Sequence, residues 1–208
     1  MNKKVTSRLS VQEMTACGLL TGLLLVMSFT PIGYFHTLGL DISLMMIPVA
    51  IGGMILGPKV GLWLGFVFGA TSFQQALTGA SWFTATLWNM NPVGTFLLCI
   101  PTRMLMGYLA SVCFRLLHKV DQSKTVCYFI GGFLTAFFNT VLFMGALLLL
   151  FWNTEFIQNL NTGFGGLNPL LFVFAFVGIN GVLEMSASCV LGGVISKVLA
   201  RTVCKRRV

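Results

Sequence analysis

This sequence of 208 residues contains little charge, and acidic residues are especially scarce. Charged residues make up 9% of the chain and only five are aspartate or glutamate, whereas a soluble domain carries about 25% charged residues. Hydrophobic residues make up 56%, and the mean hydropathy is +0.90. This composition excludes an ordinary soluble domain and predicts an all-α integral membrane protein.

The motifs that catalytic or cofactor-binding chains usually carry are also missing. No Gly-x4-Gly-Lys-Ser/Thr segment occurs, so this chain is not expected to use ATP through a P-loop. There are two histidines and no HExxH or serine–histidine–aspartate set. The six cysteines form no CxxC pair and lie in apolar segments, which argues against disulfides or a metal site. We therefore predict no catalytic residue, no metal and no cofactor bound by this chain.

The apolar runs predict a single membrane domain over residues 1–208 with six transmembrane helices. The expected spans are about 12–32, 42–56, 58–78, 95–117, 125–152 and 169–199. The second span is shorter than the roughly 20 residues that a full crossing needs, and proline and glycine interrupt it. Such a segment is tolerated at membrane depth where protein or a cavity surrounds it. Residues 79–94 and 153–168 are expected to be loops.

The positive charge of the chain is concentrated on one side of this topology. Twelve of the 13 lysines and arginines lie at the termini, at Lys59 or within residues 115–124, and the three opposite loops hold none. The positive-inside rule then places both termini in the cytoplasm. No basic face with interleaved aromatic residues occurs, so the pattern indicates topology and not nucleic-acid binding.

Small residues recur at helical spacing in the first and third spans. Glycines occur at every fourth position from residue 57 to residue 69, so on a helix they form one stripe without side chains. Such stripes let a neighbouring helix approach closely in lipid, either within the chain or on a partner. The helix-docking residues expected on this basis are Ala16, Gly18, Gly22, Gly57, Gly61, Gly65 and Gly69.

Arg103 and Glu184 are the residues that are most costly to place in lipid, so each should face the bundle interior and have a partner. Arg103 precedes Arg115 by 12 residues, which is about 18 Å along a helix. Glu184 precedes Lys197 by 13 residues, which is about 20 Å by the same rise. The two charges are therefore predicted to lie at similar depth.

Asn139 and Asn180 are predicted to join this polar layer. Asn180 lies four residues before Glu184 on the same helix face, and Asn139 is at comparable depth in the fifth span. One interpretation is a buried Arg103–Glu184 pair that fixes helix register, with the asparagines as interhelical hydrogen bonds. The other is a small-molecule site that opens outward, in which Arg103 binds an anionic group.

The uncharged aromatic loops above this layer are candidates for a lid. Interfacial tryptophans are ordinarily membrane anchors, and an anchoring belt stays the alternative here. Under the lid interpretation, the further substrate-binding residues are Phe35, Gln74, Trp82, Trp88, Asn89 and Asn91.

Several segments together resemble the substrate-binding S-components of energy-coupling factor (ECF) transporters. They are residues 47–49 (Ile-Pro-Val), 56–61 (Leu-Gly-Pro-Lys-Val-Gly), 65–66 (Gly-Phe), Gly69, 71–73 (Thr-Ser-Phe), 91–92 (Asn-Pro), 101–103 (Pro-Thr-Arg) and Gly107. The resemblance extends over essentially the whole chain.

This resemblance implies a six-helix bundle that captures one water-soluble vitamin with high affinity in the cytoplasmic membrane of a prokaryote. It implies docking on one transmembrane T-component and two ATPase subunits, which would use the ATP. Within the family, the chain looks most similar to the pantothenate-type S-components, and a carboxylate ligand suits Arg103. Glu184 nearby would instead suit a zwitterion or a B6 vitamer, and riboflavin or folate are further alternatives.

A stand-alone secondary transporter is the alternative from another class. It predicts an inverted repeat and an ion-linked acidic residue such as Glu184, but the two halves of the chain show no convincing repeat. A membrane enzyme is a third class, and it lacks a recognisable nucleophile–base pair.

Overall fold

The computed structural model of the protein describes residues 10–30, 33–35, 42–121 and 125–203. Within these residues the chain is predominantly helical, which confirms the all-α prediction apart from one short pair of strands. The elements are α1 (Val11–Ser28), β1 (Tyr34–Phe35), β2 (Ile42–Ser43), α2 (Met46–Leu56), α3 (Pro58–Thr78), α4 (Trp82–Met90), α5 (Pro92–Val120), α6 (Val126–Phe151), α7 (Glu155–Gly163), α8 (Pro169–Ala187), a π-helical turn (Ser188–Gly192) and α9 (Gly193–Val203). The strands β1 and β2 pair antiparallel.

Four helical stretches are long and apolar enough to cross a membrane. They are Val11–Ser28, Pro92–Val120, Val126–Phe151 and Asn180–Arg201. The 21-residue α3 is also long enough, but it is less apolar, and α2 is short. The count of six spans therefore stays a prediction.

The expectation of loops at residues 79–94 and 153–168 is wrong, because each segment contains a short helix. Helix α4 buries Phe83, Thr84 and Leu87, which recur at helical spacing and face the bundle. Helix α7 buries Ile157 and Asn161 in the same way. Of the residues that suggested loops, Trp82, Asn89 and Asn159 lie on the exposed sides of these two helices.

The glycine stripe of α3 packs against α5 of the same chain. A Cβ atom at Gly65 would lie 3.0 Å from the carbonyl carbon of Arg103, and one at Gly69 would lie 2.8 Å from the carbonyl oxygen of Cys99. Gly61 faces Gly107 just as closely. The backbones of α3 and α5 touch because these positions lack side chains, so Gly61, Gly65 and Gly69 are not a free docking face.

The remaining small residues have different environments. Gly57 lies in the turn between α2 and α3, where its φ of 101° favours glycine and the Arg115 side chain covers it. Gly18 and Gly22 have open space where a Cβ would be. Ala16 is partly buried. Of the expected docking residues, the pair on α1 is thus the one that the described chain leaves uncovered.

Three clusters of apolar side chains hold the helices together. One joins α1, α2, α3 and α5 around Leu64 and Phe68. A second joins α4 and α7 to α5, α6 and α8 around Phe151 and Phe172. A third lies where α5 ends and α6 begins, around Phe114. Because the first two clusters meet beside the middle of α5, the junction between them is where a cavity can form.

Candidate functional site

A cavity of about 90 Å³ lies between the first two apolar clusters. One water needs roughly 10–15 Å³, so this space admits a small molecule. The cavity is lined by residues of β2, α3, α4, α5, α6, α8 and the turn before α4: Ser43, Phe68, Ser72, Gln75, Ser81, Phe83, Thr84, Arg103, Asn139, Thr140, Phe143, Met144, Val177, Asn180, Gly181 and Glu184.

Arg103 supplies the positive charge of the cavity from the middle of α5. Its guanidinium Cζ lies 4.2 Å from the centroid of the Phe143 ring and 5.5 Å from that of Phe68. Its Nη1 donates to the carbonyl oxygen of Leu98 at 2.9 Å. Pro101 lies within this helical turn, and a proline there lacks the N–H for one backbone hydrogen bond. The charge is thus held between two rings and its own helix.

Glu184 supplies the negative charge and is itself buried. Its Oε1 accepts a hydrogen bond of 2.7 Å from the backbone N–H of Ser43 in β2. This bond joins α8 to the strand that precedes α2, 141 residues earlier in the chain. One carboxylate oxygen therefore has a structural role in closing the cavity wall.

Asn139 brings an unsatisfied acceptor to the cavity from α6. Its Oδ1 is buried and has no hydrogen-bond partner among the residues that the structure describes. A buried acceptor without a donor costs about 1–3 kcal/mol. A ligand hydroxyl or amide N–H, or a water, would supply the missing donor.

Helix α8 is broken beside the cavity. Gly178 has φ 38° and ψ −127°, and the helical pieces on either side are Pro169–Gly178 and Asn180–Arg201. Asn180 and Gly181, at the start of the second piece, both line the cavity. The first turn of a helix carries a partial positive charge, so this end adds to the attraction of Arg103 for an anion.

The structure brings together four of the residues that the sequence predicts for a site. Arg103, Asn139, Asn180 and Glu184 all line the cavity. They converge because apolar sequence surrounds each of them, so each polar group turns away from lipid.

The predicted lid residues have other positions among the described residues. Asn91 is the N-cap of α5 and accepts from the N–H of Gly94 at 2.9 Å, and Asn89 is exposed. Trp82 is 61% exposed, and Trp88 packs on the ring of Phe73. Gln74 points outward, while its neighbour Gln75 lines the cavity. The side chain of Phe35 lies outside the described part.

Sequence reasoning missed the hydroxyl and aromatic lining of the cavity. The hydroxyl groups come from Ser43, Ser72, Ser81, Thr84 and Thr140, and the rings from Phe68, Phe83 and Phe143. No motif marks these residues, because serine, threonine and phenylalanine are common throughout apolar helices. For Phe143, its position four residues after Asn139 is the one available signal, since i and i+4 share a helix face.

The model of one protein family, the ECF transporter substrate-specific component, matches residues 12–196. The chain belongs to this family. As an S-component it is a multi-pass membrane protein and a substrate-binding transporter subunit, not an enzyme. No curated protein matches the chain significantly. Within this family assignment, the cavity around Arg103 is the place in the described structure where substrate binding is best supported.

Proposed function

We propose that this S-component captures a small water-soluble vitamin that carries a carboxylate, with pantothenate as the leading candidate. The observation that supports this most strongly is the buried Arg103 guanidinium on the cavity wall, between the rings of Phe68 and Phe143. A carboxylate pairs well with a guanidinium in a site shielded from water.

The rest of the lining suits the remainder of such a molecule. Pantothenate has one carboxylate, one amide and two hydroxyl groups, and the cavity presents amides at Asn139, Asn180 and Gln75 together with several hydroxyls. The unsatisfied Oδ1 of Asn139 accepts from a ligand donor. Glu184, whose Oε1 accepts from Ser43, adds a carboxylate acceptor to the lining that suits a ligand hydroxyl.

The proposal includes the transport machinery. The chain docks on a T-component with two ATPase subunits, and these subunits hydrolyse ATP while the S-component binds no cofactor. It lies in the cytoplasmic membrane of a prokaryote with six spans and both termini inside. The family assignment and the one-sided distribution of lysine and arginine support this arrangement.

Two measurements test the substrate. Mass spectrometry of small molecules released from the purified, denatured protein should detect pantothenate. Calorimetric titration of the ligand-free protein with pantothenate, a B6 vitamer, riboflavin and folate should show tight binding of pantothenate alone. Tight binding of another vitamin would replace pantothenate and leave substrate capture intact.

A third measurement tests the mode of transport. Uptake into vesicles should require the T-component and the ATPases. Uptake by this chain alone would instead support a stand-alone secondary transporter.

A further inference from the structure

We infer that Thr102 is a positioning residue that holds the Arg103 guanidinium against the cavity wall. Its effect on ligand affinity rests on the proposed function, whereas its effect on Arg103 does not. Thr102 is buried at 7% exposure and does not line the cavity, so it acts through Arg103 and not on the ligand.

The hydrogen bonds around Thr102 define this role. Its hydroxyl donates to the carbonyl oxygen of Leu98, one turn earlier in α5. The same hydroxyl oxygen accepts from Nη1 of Arg103 at 3.3 Å, and Nη1 also donates to Leu98 at 2.9 Å. The Thr102 hydroxyl, the Leu98 carbonyl and the Arg103 guanidinium thus form a closed triangle of hydrogen bonds. The hydroxyl hydrogen of Thr102 is donated to Leu98, which leaves the hydroxyl oxygen to accept from Arg103.

These three hydrogen bonds fix the position of the guanidinium beside its two aromatic neighbours. The guanidinium Cζ lies 4.2 Å from the centroid of the Phe143 ring and 5.5 Å from that of Phe68, and the contacts of Nη1 to Thr102 and Leu98 limit its rotation away from these rings. An arginine side chain otherwise has many rotamers, and ordering it during binding reduces affinity. Thr102 therefore prepares Arg103 before a ligand arrives.

The matched variants are Thr102→Val, which keeps the shape and removes the hydroxyl, and Thr102→Ser, which keeps the hydroxyl. Thr102→Ala serves as a second variant without the hydroxyl, should valine prevent folding. Thr135→Val is the control, because Thr135 is also buried, also donates to a carbonyl oxygen four residues earlier, and does not line the cavity. A general effect of losing a buried threonine hydroxyl would appear in it too.

The first readout needs no ligand. Nitrogen-15 NMR of the arginine side chains, with the Arg103 Nε–H resonance assigned by its absence in Arg103→Lys, reports the order of this group. In the wild type the resonance should be shifted by the rings beside it. Thr102→Val should move it toward the position of exposed arginines, while Thr102→Ser and Thr135→Val leave it in place. A resonance unchanged in both Thr102→Val and Thr102→Ala would overturn the inference.

The second readout separates the charged contact from the rest of the site. Affinities are measured for pantothenate and for pantothenol, in which an alcohol replaces the carboxylate. Thr102→Val should weaken pantothenate binding about tenfold, as expected for a hydrogen bond to a charged group, and leave pantothenol binding unchanged. Equal losses for both ligands would mean that Thr102 only supports the fold.

The two readouts also keep this inference distinct from the proposed substrate. If the wild type binds neither ligand, pantothenate is the wrong substrate, and the NMR comparison alone decides the role of Thr102. If the wild type binds pantothenate and Thr102→Val binds it equally well, the substrate stands and the positioning role fails.

Discussion

Two regions of the bundle pack in different ways, one through glycines and the other through aromatic rings. Where α3 crosses α5, glycines bring the two backbones into contact, and the α3–α5 seam is filled. Beside it, α4, α7 and the first piece of α8 meet through aromatic rings such as Phe83, Phe156 and Phe176. Rings leave gaps that backbones in contact do not, and the cavity opens where the second kind of packing begins.

This difference indicates how binding and rigidity are divided. Arg103 belongs to both regions, since its carbonyl group touches Gly65 while its side chain reaches Phe143. The glycine-packed region holds the backbone that carries the charge, and the aromatic region provides the space around it. Substitutions in the first region should therefore change stability, and substitutions that line the cavity should change affinity.

The largest effect is expected for Arg103→Ala, which removes the positive charge that lies where the two regions meet. Pantothenate binding should weaken by about 2–5 kcal/mol, because the buried ligand carboxylate then lacks its partner. Calorimetric titration of the folded fraction measures this. Arg115→Ala is the control, since Arg115 lies on the same helix but is exposed. Normal affinity in the folded Arg103→Ala protein would mean that Arg103 only fixes helix register.

The next effect should be confined to the glycine-packed region. Gly65→Ala should lower the free energy of unfolding by about 1–3 kcal/mol, since its Cβ has no room against α5. Gly18→Ala, on the uncovered side of α1, should not destabilise the protein. Thermal unfolding in detergent compares the two. Equal midpoints would show that α3 and α5 do not touch at these glycines.

A smaller effect is expected for Asn139 in the cavity, where one substitution should change stability and ligand affinity in opposite directions. Asn139→Leu should leave the empty protein as stable as before or more stable, and weaken ligand binding by about 1–1.5 kcal/mol, because it removes a buried acceptor that no described residue satisfies and that a ligand donor can reach. Asn161→Leu is the control. The Asn161 amide bonds to both the N–H and the carbonyl of Leu167 at 3.0 Å, so this variant should lose stability.

If Asn139→Leu unfolds more easily than the wild type and binds ligand equally well, Asn139 belongs to the fold and not to the site. Unfolding in detergent and titration with pantothenate are sufficient to decide this.

The smallest effect is expected for the tryptophans of α4. Trp82→Phe and Trp88→Phe should each change ligand affinity by less than about 0.5 kcal/mol, because neither ring lines the cavity. Phe83→Leu, from the same helix, should weaken binding more, since its ring does line it. The contrary result would be saturable quenching of tryptophan fluorescence by the ligand in the wild type, with both the quenching and the affinity lost in Trp82→Phe or Trp88→Phe. That result would show that these rings contact the ligand.

The features that could be predicted from the sequence are those with a strong local cause. Pro58 after Gly57 starts α3 where the structure has it, because proline suits the first helical position. Arg103 and Glu184 meet at one cavity because lipid excludes them from every outward face.

Other features depend on contacts that no local pattern shows. Gln74 and Gln75 differ by one residue, which is about 100° of rotation on a helix, and neighbouring helices decide which of them faces the cavity. The glycine stripe predicts a close helix contact, but not whether the partner is another chain or α5. The break at Gly178 looks in sequence like any glycine in an apolar run.

That break also determines how the end of the chain fits a bilayer. From Pro169 to Val203 the helical residues would extend roughly 50 Å if straight, against a hydrocarbon core of about 30 Å. The bend at Gly178 separates a long piece that can cross from a ten-residue piece that cannot. Leu170, Leu171 and Phe174 are exposed on this short piece, so it has the apolar surface to lie along the membrane interface beside the piece that crosses.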